Sequence, residues 1–328
     1  MRVKFNLIKV CIVLLLISVV SFVGSASEFP EKDIRMIFPW GAGGGGDAIT
    51  RMISKIAEKP LPVAIYVENI TGAMSGNGLM EVIRSKPDGY TLGIAAYDSV
   101  ISVPWKKLVP GYDLDKLAMI CRLTSEADAL IVSEDSRFET FEDLINAAKE
   151  EPGEINVAIQ NLGSRQNIAM LMLQDEFDVE FNQIAYTGGS GPQKEALLSG
   201  EVEVVCTSLG DLAPLINGGE ARGLVEFSEK RNVKFSEVPT LKELGHDFVI
   251  GSFIAVVTPA ETPDDVLVKL EEIFYNAYHT DEFLDWLDQV GVTSAWLNSE
   301  ETTQYVEEIQ TKYFGILNML VEQGIIEE

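Results

Sequence analysis

The stretch Pro39 to Thr50, PWGAGGGGDAIT, decides how the rest of the chain is read. Six consecutive residues, Gly41 to Gly46, are glycine or alanine. They follow an apolar run, Ile34 to Phe38, and lead into a pattern of helical spacing. Strand, bare turn and helix form the opening unit of an open α/β sheet, in which ligands sit beyond the carboxyl ends of the strands. A loop without side chains lets a ligand touch backbone N–H groups. The helix behind it, with Asp47 as the expected cap, presents about half a positive charge at its N-terminus. The stretch thus reads as an anion nest in which a carboxylate needs no lysine.

Rival readings of the same glycines differ in strength. A phosphate-binding P-loop needs Lys and then Ser or Thr after the last glycine, and here Asp47 follows Gly46. The dinucleotide pattern GxGxxG is present as Gly41, Gly43 and Gly46, with Glu68 ending the next strand where a ribose-binding acid would sit. Any glycine run satisfies that pattern, but it keeps an exported dinucleotide-dependent oxidoreductase as an alternative. A tight strand-to-helix turn with no ligand is the plain structural alternative.

Moving outward, short apolar runs alternate with helical patterns, which predicts parallel sheets with crossover helices. Strands are expected at residues 34–38, 63–67, 90–96, 117–123, 129–132, 155–159, 181–186, 202–207, 223–227 and 250–257, too many for one small sheet. Thr262, Pro263 and Asp265 mark one helix start, Thr140 with Asp143 a capping box, and Ser299 with Glu300 and Glu301 the last helix. No linker separates two halves, so a two-domain chain would cross between domains on ordinary strands, near Glu126 and near Ser252, which permits a hinge.

Three further loops at predicted strand ends carry related chemistry. AYDSV, from Ala96, offers Tyr97, Asp98 and Ser99; QNLGSRQN, from Gln160, offers Asn161, Gly163, Ser164 and Arg165; YTGGSGP, from Tyr186, offers Thr187 and Gly188. Arg165 is the one cation among them. Facing the cleft, it would clamp a second carboxylate with two prongs; otherwise it is a solvated helix arginine. Asp98 in the cleft would repel an anion or hold an amine, or else serve as a loop cap.

The start of the chain reads as an export leader, not as fold. Arg2, Lys4 and Lys9 precede an apolar run from Val10 to Val20 broken only by Ser18, and VGSAS follows. That run is well short of the roughly 20 residues of a spanning helix, which makes a retained anchor the alternative and not the first reading. Cleavage over residues 1–27 removes three positive charges and moves the formal charge from −26 to −29. Nucleic acid and anionic membrane are then poor partners, and no membrane insertion of the mature chain is expected. The negative field also repels small anions, but salt screens it beyond about 8 Å, so a local site can win. Cys121 and Cys206 remain after cleavage and are read as two isolated buried thiols, with pairing in an oxidising compartment the alternative.

Catalytic readings lack parts. His246 and His279 are the two histidines, too few and too scattered for a Ser-His triad or a zinc site. In GGSGP, Pro192 takes the place of the last glycine of a GxSxG elbow. A binding protein without cofactor or metal is expected.

In order along the chain come FPEKDIRMIFPWGAGGGGD, VEN at Val67 followed by TGAMSGNG, PDGYTL from Pro87, LGS from Leu162, SEVPTLKELG from Ser236 and TPAETP from Thr258. Together these resemble the exported solute receptors of tripartite tricarboxylate transporters, the Bug-type binding proteins, over about Phe29 to Leu320. The resemblance implies a type II-like periplasmic binding protein: two α/β domains, each a mainly parallel sheet flanked by helices, with a cleft that closes on a small organic carboxylate and delivers it to tripartite-type permease subunits. It implies that the loops Trp40–Gly44 (Trp40, Gly41, Ala42, Gly43, Gly44) and Gly163–Ser164 grip the carboxylate through backbone N–H and hydroxyl groups, partly through water. Tyr97–Ser99 and Tyr186–Gly188 should line the rest. Domain 1 is then residues 28–126 and 252–328, and domain 2 residues 127–251, in a periplasmic monomer. Two departures stand out. Arg165, Gln166 and Asn167 replace the serine or histidine often found there, and Thr207 stands where relatives often carry aspartate. Both favour a more negative ligand, a di- or tricarboxylate over an amino acid. A sensor input module on the same fold is a further alternative.

Overall fold

The computed structural model describes residues 29–324 and Ile326. The leader expected over residues 1–27 lies outside them. Ten strands occur among the described residues: β1 (Ile34–Phe38), β2 (Ile65–Asn69), β3 (Thr91–Ala95), β4 (Leu117–Ser133), β5 (Asn156–Ile159), β6 (Asn182–Ala185), β7 (Val204–Ser208), β8 (Ala221–Glu226), β9 (Gly251–Pro259) and β10 (Ser294–Leu297). Their order is β2-β1-β3-β9-β4-β7-β5-β6, with β8 and β10 also paired to β4.

Two parallel groups sit at the ends of this path. β1 pairs in parallel with β2 and β3, and β5 in parallel with β6 and β7, as expected of strands joined by crossover helices. The strands between them are antiparallel. Two lobes result, each with helices packed on its sheet.

β4 departs most from the sequence reading. Residues 117–123 and 129–132 are expected as two separate strands, with Ser125-Glu126-Ala127-Asp128 lying between them. Instead one 17-residue strand runs through both lobes. Its first part pairs with β9, in a register that sets Glu126 opposite Ser252, and its last residues pair with β7 and β8. The polar residues are tolerated because their backbone groups are paired: besides the register with β9, Ser125 N donates to the Thr293 carbonyl and Asp128 N to the Ile250 carbonyl.

Burial follows apolar spacing. In helix Gly45–Glu58, Ile49, Ile53 and Ile56 recur at helical intervals and pack with Ile34 and Met36 of β1 and with Leu270 and Phe274 of helix Asp264–Tyr278. A second cluster in the other lobe gathers Ile131, Ala158, Val205, Leu212 and Phe235. The largest extends across both lobes beneath Val306, Tyr313 and Leu317 of helix Ser299–Glu322. Cys121 and Cys206 are both free and fully buried in separate clusters, and burial pushes both thiols well above their usual range.

The expected caps are partly revised. Thr140 and Asp143 form the capping box, and Thr262 is replaced as cap of its helix by Pro263. The last helix begins at Ser299, with Asn298 and Glu301 as its box. Helix Gly45–Glu58 has Gly44 at its cap position. Asp47, expected there, lies inside the first turn.

Candidate functional site

A cavity of about 110 Å³ lies between the lobes where the loops after β1, β3, β5 and β7 converge. Of the residues singled out from sequence, Trp40, Gly41, Gly44, Asp98, Arg165 and Thr207 line it. It also takes in Gln160, Gln166, Ser190, Asp211, Glu126 and Ser252.

The glycine loop is held from beneath. Asp47 accepts from Gly43 N at 3.1 Å, from Arg51 Nε at 2.9 Å and from Asn69 Nδ2 at 2.9 Å. Burial would raise its pKa, but these donors outweigh burial and hold it below the usual carboxylate range. Gly43 has φ +89°, which asks for glycine. A side chain at Gly41 would press on the carbonyl of Gly188 at 3.2 Å, so the two loops meet across the cleft. Gly45 donates to Asp211 Oδ1 at 3.3 Å, bringing a carboxylate of one lobe to the helix N-terminus of the other. Asp211 also accepts from Ser190 Oγ at 3.2 Å and from Thr207 Oγ1 at 2.9 Å.

Arg165 does not stand free. Its Nε and Nη2 donate to the two oxygens of Asp128 at 2.6 and 2.7 Å, a two-pronged pair in which Asp128 is fully buried. Burial works against the charge of the guanidinium, but Asp128 outweighs it and the Arg165 pKa is raised. The two donors expected to clamp a second carboxylate are thus engaged by an internal acid, while Arg165 still lines the cavity. Asp98 is a buried cap. It accepts from Ser102 Oγ at 2.7 Å and from Arg165 N at 3.1 Å, another contact between lobes. Burial raises its pKa, opposed by Arg165. The acid missed at Thr207 is restored by Asp211, four residues on, to which Thr207 donates.

The other predicted residues lie around the cavity and not on its wall. Tyr97 is buried against Tyr313, and Ser99 bonds to Ser75 and to Ala96 N. Gly43 turns toward a neighbouring hollow beside Gly210 and Trp286. Ser164 caps helix Arg165–Phe177, the carbonyl of Asn161 accepts from Ser164 N, and Gly163 abuts Lys106. Tyr186 packs on the β5–β7 core, and Gly188 touches Gly41. Ala42 and Thr187 belong to the two facing loops without lining the cavity. Asp211 and Glu126 were missed as site residues. An acid within the loop after β7 was a usable signal for the first, and a carboxylate at the expected crossing between lobes for the second.

Glu68, the ribose-binding acid of the dinucleotide reading, is engaged by Arg35 Nε at 2.7 Å away from the cavity. Among the described residues no helix is long and apolar enough to cross a membrane.

The family model described as "Tripartite tricarboxylate transporter family receptor" matches residues 49–320. A curated protein of Cupriavidus necator, "UPF0065 protein in gbd 5'region", is 30% identical over 295 residues, covering 90% of this chain and 89% of its own. The crystal structure of a TctC solute binding protein from Polaromonas is 28% identical with a TM-score of 0.69, covering 89% of this chain and all of that one. MatC from Rhodopseudomonas palustris, solved with bound malate, has a TM-score of 0.79 at 22% identity, over 88% of this chain and 99% of that one.

Proposed function

The chain belongs to the tripartite tricarboxylate transporter receptor family, a family of receptors and not of enzymes, and from that premise we propose that it is an exported receptor that captures a small organic carboxylate and passes it to permease subunits of the tripartite type. The observation that carries this reading is the facing of two helix-start loops, at Gly41–Gly46 and at Gln160–Arg165, across a small cavity between lobes. Each lobe supplies only part of the donor set, so an anion is fully desolvated only when both engage. A charge-assisted hydrogen bond contributes about 1.5–3 kcal/mol net, so three or four offset the cost of association and give micromolar binding.

In this reading the hinge is the paired segment of β4 and β9 where Glu126 faces Ser252. The lobes divide as residues 28–126 with 252–328, and 127–251. Residues 1–27 direct export to the periplasm, and the mature receptor acts as a monomer. The di- or tricarboxylate preference inferred from Arg165 and Thr207 stays part of the proposal, with Arg165 paired to Asp128 and Thr207 donating to Asp211 at the site. The class proposed is a small organic carboxylate, with a second acid group favoured, in line with the malate bound by MatC. Titration calorimetry with malate, succinate, citrate, glutamate and NAD tests the reading. Saturable heat with a carboxylate and none with NAD is expected; NAD saturation with no carboxylate heat would overturn it.

A further inference from the structure

The cavity carries a charge imbalance. Asp98, Glu126 and Asp211 line it, and Arg165, its cationic lining residue, is already paired with Asp128. A ligand carboxylate entering this cavity meets like charge at a dielectric below that of bulk water, which favours neutralising one of the resident acids.

The three acids are unequally supported. Asp211 accepts from one backbone amide and two hydroxyls, and Asp98 from a hydroxyl at 2.7 Å and the amide of Arg165. Glu126 has only two long bonds from neutral hydroxyls, Thr124 Oγ1 at 3.2 Å and Ser208 Oγ at 3.3 Å. It is thus the acid whose ionised form is least stabilised. Burial, reinforced by the charge of Asp211 and opposed by Arg165, pushes its carboxyl up to about 7.

Its position makes this consequential. Glu126 sits opposite Ser252 at the strand crossing, takes one hydroxyl from its own strand and one from β7, and lines cavities on both sides. The second cavity, about 410 Å³, lies between the crossing and helix Ser299–Glu322. Its charged groups, Glu226 and Glu229 with Lys230 and Lys312, balance, and its remaining titratable groups are the neutral phenols Tyr97, Tyr305 and Tyr313. The unbalanced field on Glu126 therefore comes from the ligand side.

We propose that Glu126 is the proton-accepting residue of the binding site, so that capture of a ligand carboxylate takes up one proton from solvent onto Glu126, which stands neutral in the loaded receptor. This deepens, and rests on, the carboxylate-receptor reading. The sign follows directly. A second negative charge raises the Glu126 pKa further, so binding is strongest at or below pH 7 and weakens by roughly tenfold per pH unit above it.

The test is calorimetry of the purified receptor with malate, succinate and citrate from pH 5.5 to 8.5, repeated in buffers of different ionisation enthalpy, which counts protons without any variant. Uptake approaching one proton per bound acid at pH 8 is expected, together with a flat pH profile and no proton uptake in Glu126→Gln. Carboxylate binding with no net proton uptake would overturn the proposal, as would unchanged uptake in Glu126→Gln. Binding of glutamate in preference to all three acids without proton uptake would also overturn it, since an ammonium group would then be compensating an ionised Glu126. Failure of every acid to bind across the whole pH range would instead remove the carboxylate reading, and this inference with it.

Discussion

Replacing Gly45 with alanine separates folding of a lobe from closure of the cleft. Gly45 opens helix Gly45–Glu58 in an ordinary helical conformation, so alanine is locally tolerated and stabilises the helix by up to about 1 kcal/mol. A Cβ there, however, stands 2.7 Å from Asp211 Oδ1, across the cleft. Asp211 must swing away and lose the bond from Gly45 N, and its bond from Ser190 Oγ is disturbed with it. One charge-assisted bond of about 1.5–3 kcal/mol corresponds to a loss of roughly 10- to 150-fold in ligand affinity. Calorimetry and small-angle scattering measure the two sides: reduced affinity and reduced ligand-induced compaction, with an unchanged or slightly raised melting temperature. Affinity within twofold of the parent, with compaction intact, would refute the closure geometry. Gly191→Ala, which meets nothing within 4 Å, is the control.

Further predictions concern the surroundings of the site. Asp128→Asn leaves the Arg165 guanidinium buried without its counter-ion and should destabilise the fold by about 3–5 kcal/mol in urea titration; a loss below about 1 kcal/mol would show the pair to be dispensable. Because Glu126 has a folded-state pKa raised to about 7, stability from its neutral form is lost as pH rises from the unfolded carboxylate value through 7. Glu126→Gln should then become progressively more stable than the parent over that window, by at most about 3 kcal/mol, and an equal difference at pH 4 and pH 8 would contradict this. Gly43→Val places a β-branched residue at φ +89° and should distort the glycine loop at a cost of about 1–2 kcal/mol, with loss of ligand binding; unchanged affinity would remove the nest from the account. Cys121 and Cys206 should both resist a thiol reagent until the protein is denatured, when two thiols appear, whereas none would indicate a disulfide.

Where local pattern and tertiary role coincide, the fold was legible. β1 runs from Ile34 to Phe38 as expected, because the apolar run is bounded by Asp33 and Pro39. The continuity of β4 was hidden, since Ser125 to Asp128 is polar and its pairing with β9 comes from residues more than 120 positions away. β10 was missed: four residues, Ser294–Leu297, carry too little pattern to signal a strand. In the site, the loop positions were readable from strand ends and glycines, but charge compensation was not. Whether Arg165 is free depends on Asp128, and whether Gly45 N is free depends on Asp211, 166 residues later. A departure in one residue therefore does not by itself give the charge of the cavity.

A crystal structure of the receptor with a bound organic acid, chosen by a thermal-shift screen, would bear most directly on the account. The acid group should lie in the cavity between Gly41–Gly46 and Gln160–Arg165, within hydrogen-bonding distance of main-chain N–H groups from at least one of these loops. Density for the acid elsewhere, with both loops turned to solvent, would contradict the carboxylate-clamp assignment.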